Sequence, residues 1–125
     1  GFAGLTAACD FLDGIGMQNI AAREKELCDH LLETLDAMDG VSIIGRARDR
    51  AAVVSFVVEG AHSHDLATLL DLEGVAVRSG QHCAHPLLHH YGVPATCRAS
   101  LAFWNTHEEI DAFAVALNKV RRLLA

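Results

Sequence analysis

Ala52-Val53-Val54-Ser55-Phe56-Val57-Val58 decides how this chain folds. Ser55 is its one polar residue, and a run this short, apolar and β-branched fits a central strand covered on both faces or nearly so. Val41 to Ile44 is a second short β-branched run, and Gly45 to Arg50 between the two reads as a polar turn with three arginines. Ahead of these strands the period is helical. Phe2, Leu5, Cys9 and Leu12, with Ala8 and Ile15 on the same side, predict a helix ending near Gly14 or Gly16. Ile20, Leu27, Leu31, Leu35 and Met38 continue the stripe after Asn19, with Glu24 the polar exception. This second helix is expected to stop at Asp39-Gly40, where Gly takes a left-handed position beyond the last turn.

Downstream, Gly60 to His64 reads as a loop, and Leu66, Leu69, Leu70 and Glu73 mark a helix that ends before Gly74. Val75 to Arg78 reads as a short strand, Ser79 to Pro86 as a loop, and Leu87 to Tyr91 as a helical turn before Gly92. Cys97 to Phe103 reads as another strand. Thr106-x-x-Glu109 is a capping box ahead of Ile110, Phe113, Leu117, Val120 and Leu124, which step by three and four. The order is α-α-β-β-α-β-β-α. Segregated pieces of this kind predict an α+β fold, with helices packed on a small, mainly antiparallel sheet.

The chain has 125 residues, the size of one domain. Hydrophobic residues make up 51% of it and aromatics only 6%, so the core is aliphatic. Net charge is -6, with no block of like charge, and the adjacent pair Arg121-Arg122 suits the dipole at a helix C-terminus. A nucleic-acid partner is not expected. No apolar run is long enough to span a membrane. The start, Gly1 to Ala8, lacks the basic region of a signal peptide and does not begin with Met, so a cut N-terminus is expected. Cys9, Cys28, Cys83 and Cys97 are widely spread, which suits free thiols in a reducing cytoplasm.

Reactive residues crowd between Arg78 and Arg98. The stretch runs Arg78-Ser79-Gly80-Gln81-His82-Cys83-Ala84-His85-Pro86, then Tyr91, then Cys97-Arg98-Ala99-Ser100. A Cys flanked by imidazoles, on a loop between Gly and Pro, meets the conditions for a reactive thiolate. Its composition alone equally allows a small buried hydrophobe. His82, Cys83, His85, His89 and His90 also form a dense set of potential zinc ligands, with His85 and His89 four residues apart. Their spacing matches no closed four-ligand pattern and Pro86 interrupts it, so no metal is expected.

Gly74-Val75-Ala76-Val77-Arg78-Ser79-Gly80-Gln81-His82-Cys83-Ala84 resembles the active-site segment of SUF-type (group II) cysteine desulfurases and the related selenocysteine lyases. Tyr91 to Ala102 and Asn105 to Asp111 continue the resemblance in the same order, and Gly4 to Ala8 looks like the start of the family's linking helix. Gln81 stands where many members have a second His. The resemblance implies that residues 1–125 form the C-terminal small domain of a fold-type I, class V aminotransferase-like enzyme using pyridoxal phosphate. Such an enzyme takes sulfur from L-cysteine, leaves L-alanine, and holds the sulfur as a persulfide on the motif cysteine, here Cys83. It would hand that sulfur to a SUF-type acceptor protein for iron–sulfur cluster assembly, and would act as a cytoplasmic homodimer. A selenocysteine lyase domain is the alternative within the same resemblance.

The resemblance also marks Arg98 as the grip on the substrate carboxylate, a task that suits a planar guanidinium. Arg78 is expected to orient the loop, to sit near the substrate, or to form a purely structural salt bridge. His82 assists proton transfer or shapes the loop, and His62 matches a family histidine for which a structural role is expected. A free Cys is only ~3% thiolate at pH 7, and one unit of pKa lowering gains only ~3-fold in net reactivity. Delivery of sulfur to sulfur should therefore matter more than pKa tuning. Lys25 and Lys119 are the only lysines, and both fall off the apolar stripes of helices. No cofactor-binding residue is expected in this chain, the lysine domain being expected upstream, and the chain alone should be inactive.

Overall fold

The computed structural model describes residues 1–124. The decisive run forms β2 (Val53–Val58), and its burial alternates: Val54, Phe56 and Val58 are buried, while Val53, Ser55 and Val57 are half-exposed. The strand is central as expected, but of the two faces expected to be covered or nearly so, only one is fully covered. One face is the core; the other is partly open, as antiparallel sheets permit. β2 lies between β1 (Val41–Ile44) and β4 (Thr96–Ser100), and β3 (Arg78–Gly80) pairs with the far side of β4, giving the order β1-β2-β4-β3. All three pairings are antiparallel.

Five helices complete the chain: α1 (Phe2–Ile15), α2 (Met17–Asp36), α3 (Ser63–Leu72), α4 (His85–Tyr91) and α5 (His107–Leu124). The α+β reading holds. Leu27, Leu31 and Leu35 of α2, Leu66 and Leu70 of α3, and Ile110, Phe113, Leu117 and Val120 of α5 share one core with Val54, Phe56, Cys97 and Ala99. Phe56 and Phe113 meet edge to face, with ring centroids 5.9 Å apart. The capping box forms as read: Glu109 N–H donates to Thr106 Oγ1 at 3.2 Å, and Thr106 N–H donates back to Glu109 Oε2 at 3.0 Å. In contrast, α1 buries none of its residues despite its apolar stripe, and Phe2 is 92% exposed.

Several boundaries move. α2 stops at Asp36, and Gly40 (φ 73) instead serves the turn that Val41 N–H closes onto the Met38 carbonyl. The strand expected at Val75 to Arg78 falls on Arg78–Gly80, while Val75 and Val77 pack on the core as irregular chain. The strand expected from Cys97 to Phe103 ends at Ser100, because its partner β2 begins at Val53, opposite Ser100. α3 starts at Ser63 and α4 at His85, each before the residues that suggested it. α4 ends at left-handed Gly92 (φ 69) in a Schellman arrangement: Gly92 N–H donates to the His89 carbonyl and Val93 N–H to that of Leu88. No helix among the described residues is long and apolar enough to cross a membrane.

Candidate functional site

Residues paired across a sheet point to the same face. Ser55 pairs with Arg98, and Arg98 with Arg78, so these three share the face opposite the helical core. Arg78 is exposed and Arg98 half-buried. Like charges directly opposite one another repel. Neither guanidinium has a salt bridge or side-chain hydrogen bond among the described residues, and Arg98 Nε is buried with no partner. A planar, doubly hydrogen-bonding anion between the two arginines would relieve the repulsion and satisfy the orphaned nitrogen.

Cys83 stands next to this face. β3 runs out at Gly80, and Gln81-His82-Cys83-Ala84 make a tight turn closed by Ala84 N–H donating to the Gln81 carbonyl at 2.9 Å. His82 and Cys83 both have positive φ, 53° and 58°, and they are the only non-glycine residues among those described that do. Left-handed backbone costs an ordinary residue roughly 1–2 kcal/mol. Cys83 is exposed, as expected of a nucleophile on a loop, and α4 begins two residues later. Leu88 is buried and ties that helix down.

His82 ties the turn to β4. Its Nε2 lies 3.3 Å from the Thr96 carbonyl, which can only accept, so Nε2 carries the proton. Burial pushes the imidazole below its usual range, against the Thr96 hydrogen bond, and Arg98 and Arg78 push the same way. The ring is thus held neutral beside both arginines, with Nδ1 buried and unpartnered. Thr96 itself is 1% exposed, with its hydroxyl also unpartnered. Sequence reading gave Thr96 no part in the site, and a contact made by its backbone carbonyl leaves no mark in the residue pattern.

The other candidates separate cleanly. His62 caps α3: its Nδ1 accepts from the backbone N–H of His64 at 3.2 Å, the structural role expected of it. The Cys97 thiol is in the core, donates to the Ser63 carbonyl, and is pushed up to about 11 by burial. Burial likewise raises Cys28. Cys9 is exposed on α1. His85, His89 and His90 are exposed, and no three His, Cys, Asp or Glu side chains among the described residues gather closely enough for a metal ion.

The chain matches the family described as aminotransferase class-V over residues 1–113. It belongs to the class-V aminotransferases. Within that family it is 66% identical, over 124 residues, to a probable cysteine desulfurase of Xylella fastidiosa (strain Temecula1), covering 99% of this chain and 30% of the relative. It is 42% identical over 124 residues to a cysteine desulfurase of Escherichia coli O8 (strain IAI1), again over 99% and 30%. Two solved structures share its fold. The cysteine desulfurase CsdA (S-sulfonic acid) from Escherichia coli matches with a TM-score of 0.91 at 34% identity, over 98% of this chain and 30% of that one. The apo cysteine desulfurase from Thermococcus onnurineus NA1 matches with a TM-score of 0.87 at 36% identity, over 97% and 30%. The chain spans about 30% of the length of these class-V aminotransferase relatives.

Pyridoxal phosphate is the cofactor such relatives imply, and this chain's lysines do not fit it. Lys25 is exposed on α2, paired with Asp29 at 2.5 Å, and Lys119 is exposed on α5, paired with Glu73 at 2.6 Å. Both helices cover the sheet face opposite Arg98. Neither amine stands where it could join a cofactor to the Cys83 turn.

Proposed function

We propose that this chain is the sulfur-receiving part of a cysteine desulfurase, with Cys83 taking the sulfur of L-cysteine as a persulfide and Arg98 gripping the substrate carboxylate. The observation that carries this reading is the facing pair of unpartnered arginines beside an exposed, conformationally constrained cysteine. A carboxylate and a sulfur atom of one small molecule are the two groups such a site suits. Arg78 gives the same face a second positive charge. The names of the relatives at 66% and 42% identity support the same activity.

In this reading pyridoxal phosphate is held by residues outside the 125, and the present residues bind, orient and receive. Transfer onward to a SUF-type acceptor for iron–sulfur cluster assembly, a cytoplasmic setting and a homodimer rest on the resemblance of the motifs. The test uses the intact enzyme. After L-cysteine is added, mass spectrometry should find one extra sulfur on the peptide holding Cys83, and Cys83→Ala should stop sulfur reaching an acceptor while leaving the cofactor's absorbance in place. Undiminished transfer by Cys83→Ala would overturn the reading.

A further inference from the structure

His82 adjoins the nucleophile, yet its ring is turned onto the backbone of the neighbouring strand. The turn it occupies has left-handed φ at both central positions, a geometry that Gly, Asn and Asp dominate. His-Cys is a poor choice for it on local grounds. Strained backbone of this kind persists only where the surroundings over-determine it. The Nε2–H···O=C bond to Thr96 reaches across 14 residues and links the turn to β4, the strand that also bears Arg98.

We propose that His82 is a positioning residue: its bond to the Thr96 carbonyl pins the strained Gln81–Ala84 turn to β4 and so fixes the Cys83 thiol relative to Arg98. It rests on the reading of Cys83 as the sulfur acceptor and Arg98 as the carboxylate grip. One rigid strand then sets both ends of the substrate. Its carboxylate is held by a β4 side chain, and its sulfur meets a thiol hung from a β4 carbonyl. The neutral state of the ring suits this task and not proton donation. Its one N–H is committed to the carbonyl, and its bare nitrogen is buried next to two cations that oppose a second proton. Misplacing a reacting group by about 1 Å can cost ~100-fold in rate, whereas attack by a small diffusing reagent needs no such alignment.

The experiment compares His82→Ala, His82→Gln and wild type in the intact enzyme. Gln carries an amide N–H at about the reach of Nε2. Three quantities are read: the rate of Cys83 persulfide formation with KM for cysteine, the pH profile of Cys83 alkylation by iodoacetamide, and hydrogen exchange of the 81–84 amides. His82→Ala should slow persulfide formation ~10- to 100-fold, with KM and the alkylation midpoint unchanged and faster exchange in the turn. His82→Gln should restore most of the rate and the protection. A wild-type rate in His82→Ala overturns the proposal. So does a shifted alkylation midpoint that accounts for the loss, since His82 would then act as a base. If His82→Ala does not fold, a stably folded His82→Gln decides: a rate near wild type upholds the anchor, and a loss of ~10-fold or more removes it. The exchange data need no desulfurase activity. Sulfur transfer that survives Cys83→Ala would therefore sink the assignment of Cys83 while leaving the anchor separately measured.

Discussion

The four thiols in this chain divide evenly: Cys28 and Cys97 are buried, Cys9 and Cys83 exposed. Cys97 and Cys28 are held protonated by burial, Cys9 lies on an exposed helix, and Cys83 lies in the left-handed turn next to His82, which faces Arg98 and Arg78. Arg98 is the residue whose loss should weaken cysteine binding most directly. A charge-assisted contact contributes ~1.5–3 kcal/mol, so Arg98→Ala should raise KM by ~10- to 150-fold in the intact enzyme. Steady-state kinetics on cysteine checks this, and an unchanged KM with unchanged turnover would remove Arg98 from the site. His82 sets a pH dependence of definite sign. Its folded pKa lies below the ordinary value of ~6.5, so between the two values the unfolded turn binds more protons than the folded one. The turn is therefore fully supported above about pH 6.5 and loses that support as pH falls towards the folded value. The protection factor of the Ala84 amide, with the pH dependence of intrinsic exchange divided out, should fall more steeply in wild type than in His82→Gln as pH drops from about 7.5 to 5. Equal slopes would mean that the imidazole does not titrate with the turn.

At the scale of elements, the helices were easier to read than the strands. α5 shows why. Its apolar positions, its capping box and its terminal arginines all act within the helix itself, and Thr106 and Glu109 bond as their spacing demands. Thr106→Ala should lower the melting temperature of the protein by a few degrees, from the loss of about 1 kcal/mol of capping, and Thr106→Ser should not. Thermal unfolding followed by circular dichroism measures it. The strands are set by partners far along the chain. Val75 to Val77 has the composition of a strand, yet the ladder forms on Arg78-Ser79-Gly80, because those residues lie opposite Arg98-Cys97-Thr96. Nothing local to Ser79-Gly80 announces that. Leu101 to Phe103 fails as strand for the matching reason: it runs past the end of β2. The site divides in the same way. Cys83 and Arg98 were singled out by the residue pattern and its resemblance, and His82 as a residue for proton transfer or loop shaping, whereas its bond to the Thr96 carbonyl was not, because a peptide carbonyl carries no side-chain signature.

For the whole molecule, two features bear on how the chain behaves by itself. α1 buries none of its residues, with Leu12 and Ile15 only half-covered, so a variant starting at Met17 should unfold within about 0.5 kcal/mol of the 125-residue chain and be less prone to associate. Denaturant titration and light scattering test both halves of that statement, and a large loss of stability would show that α1 belongs to the core. The 125-residue chain should also fold without producing alanine from cysteine in a Cys83-dependent way, since neither lysine is placed for the cofactor. An alanine assay with added pyridoxal phosphate decides it. The strand order has a consequence for when the chemistry can exist. Pairing β2 with β4 closes a loop of roughly forty residues, the costliest closure in this sheet. The Cys83 turn lies within that loop, and Arg98 lies on its closing strand. A chain still in the course of folding therefore has the Cys83 thiol but not yet the β4 strand that carries Arg98 and the Thr96 carbonyl. In pulse-labelled refolding, protection of the Cys97–Ala99 amides and of Ala84 should arise in one kinetic phase, so that maturation of the sheet and closure of the Cys83 turn are a single event.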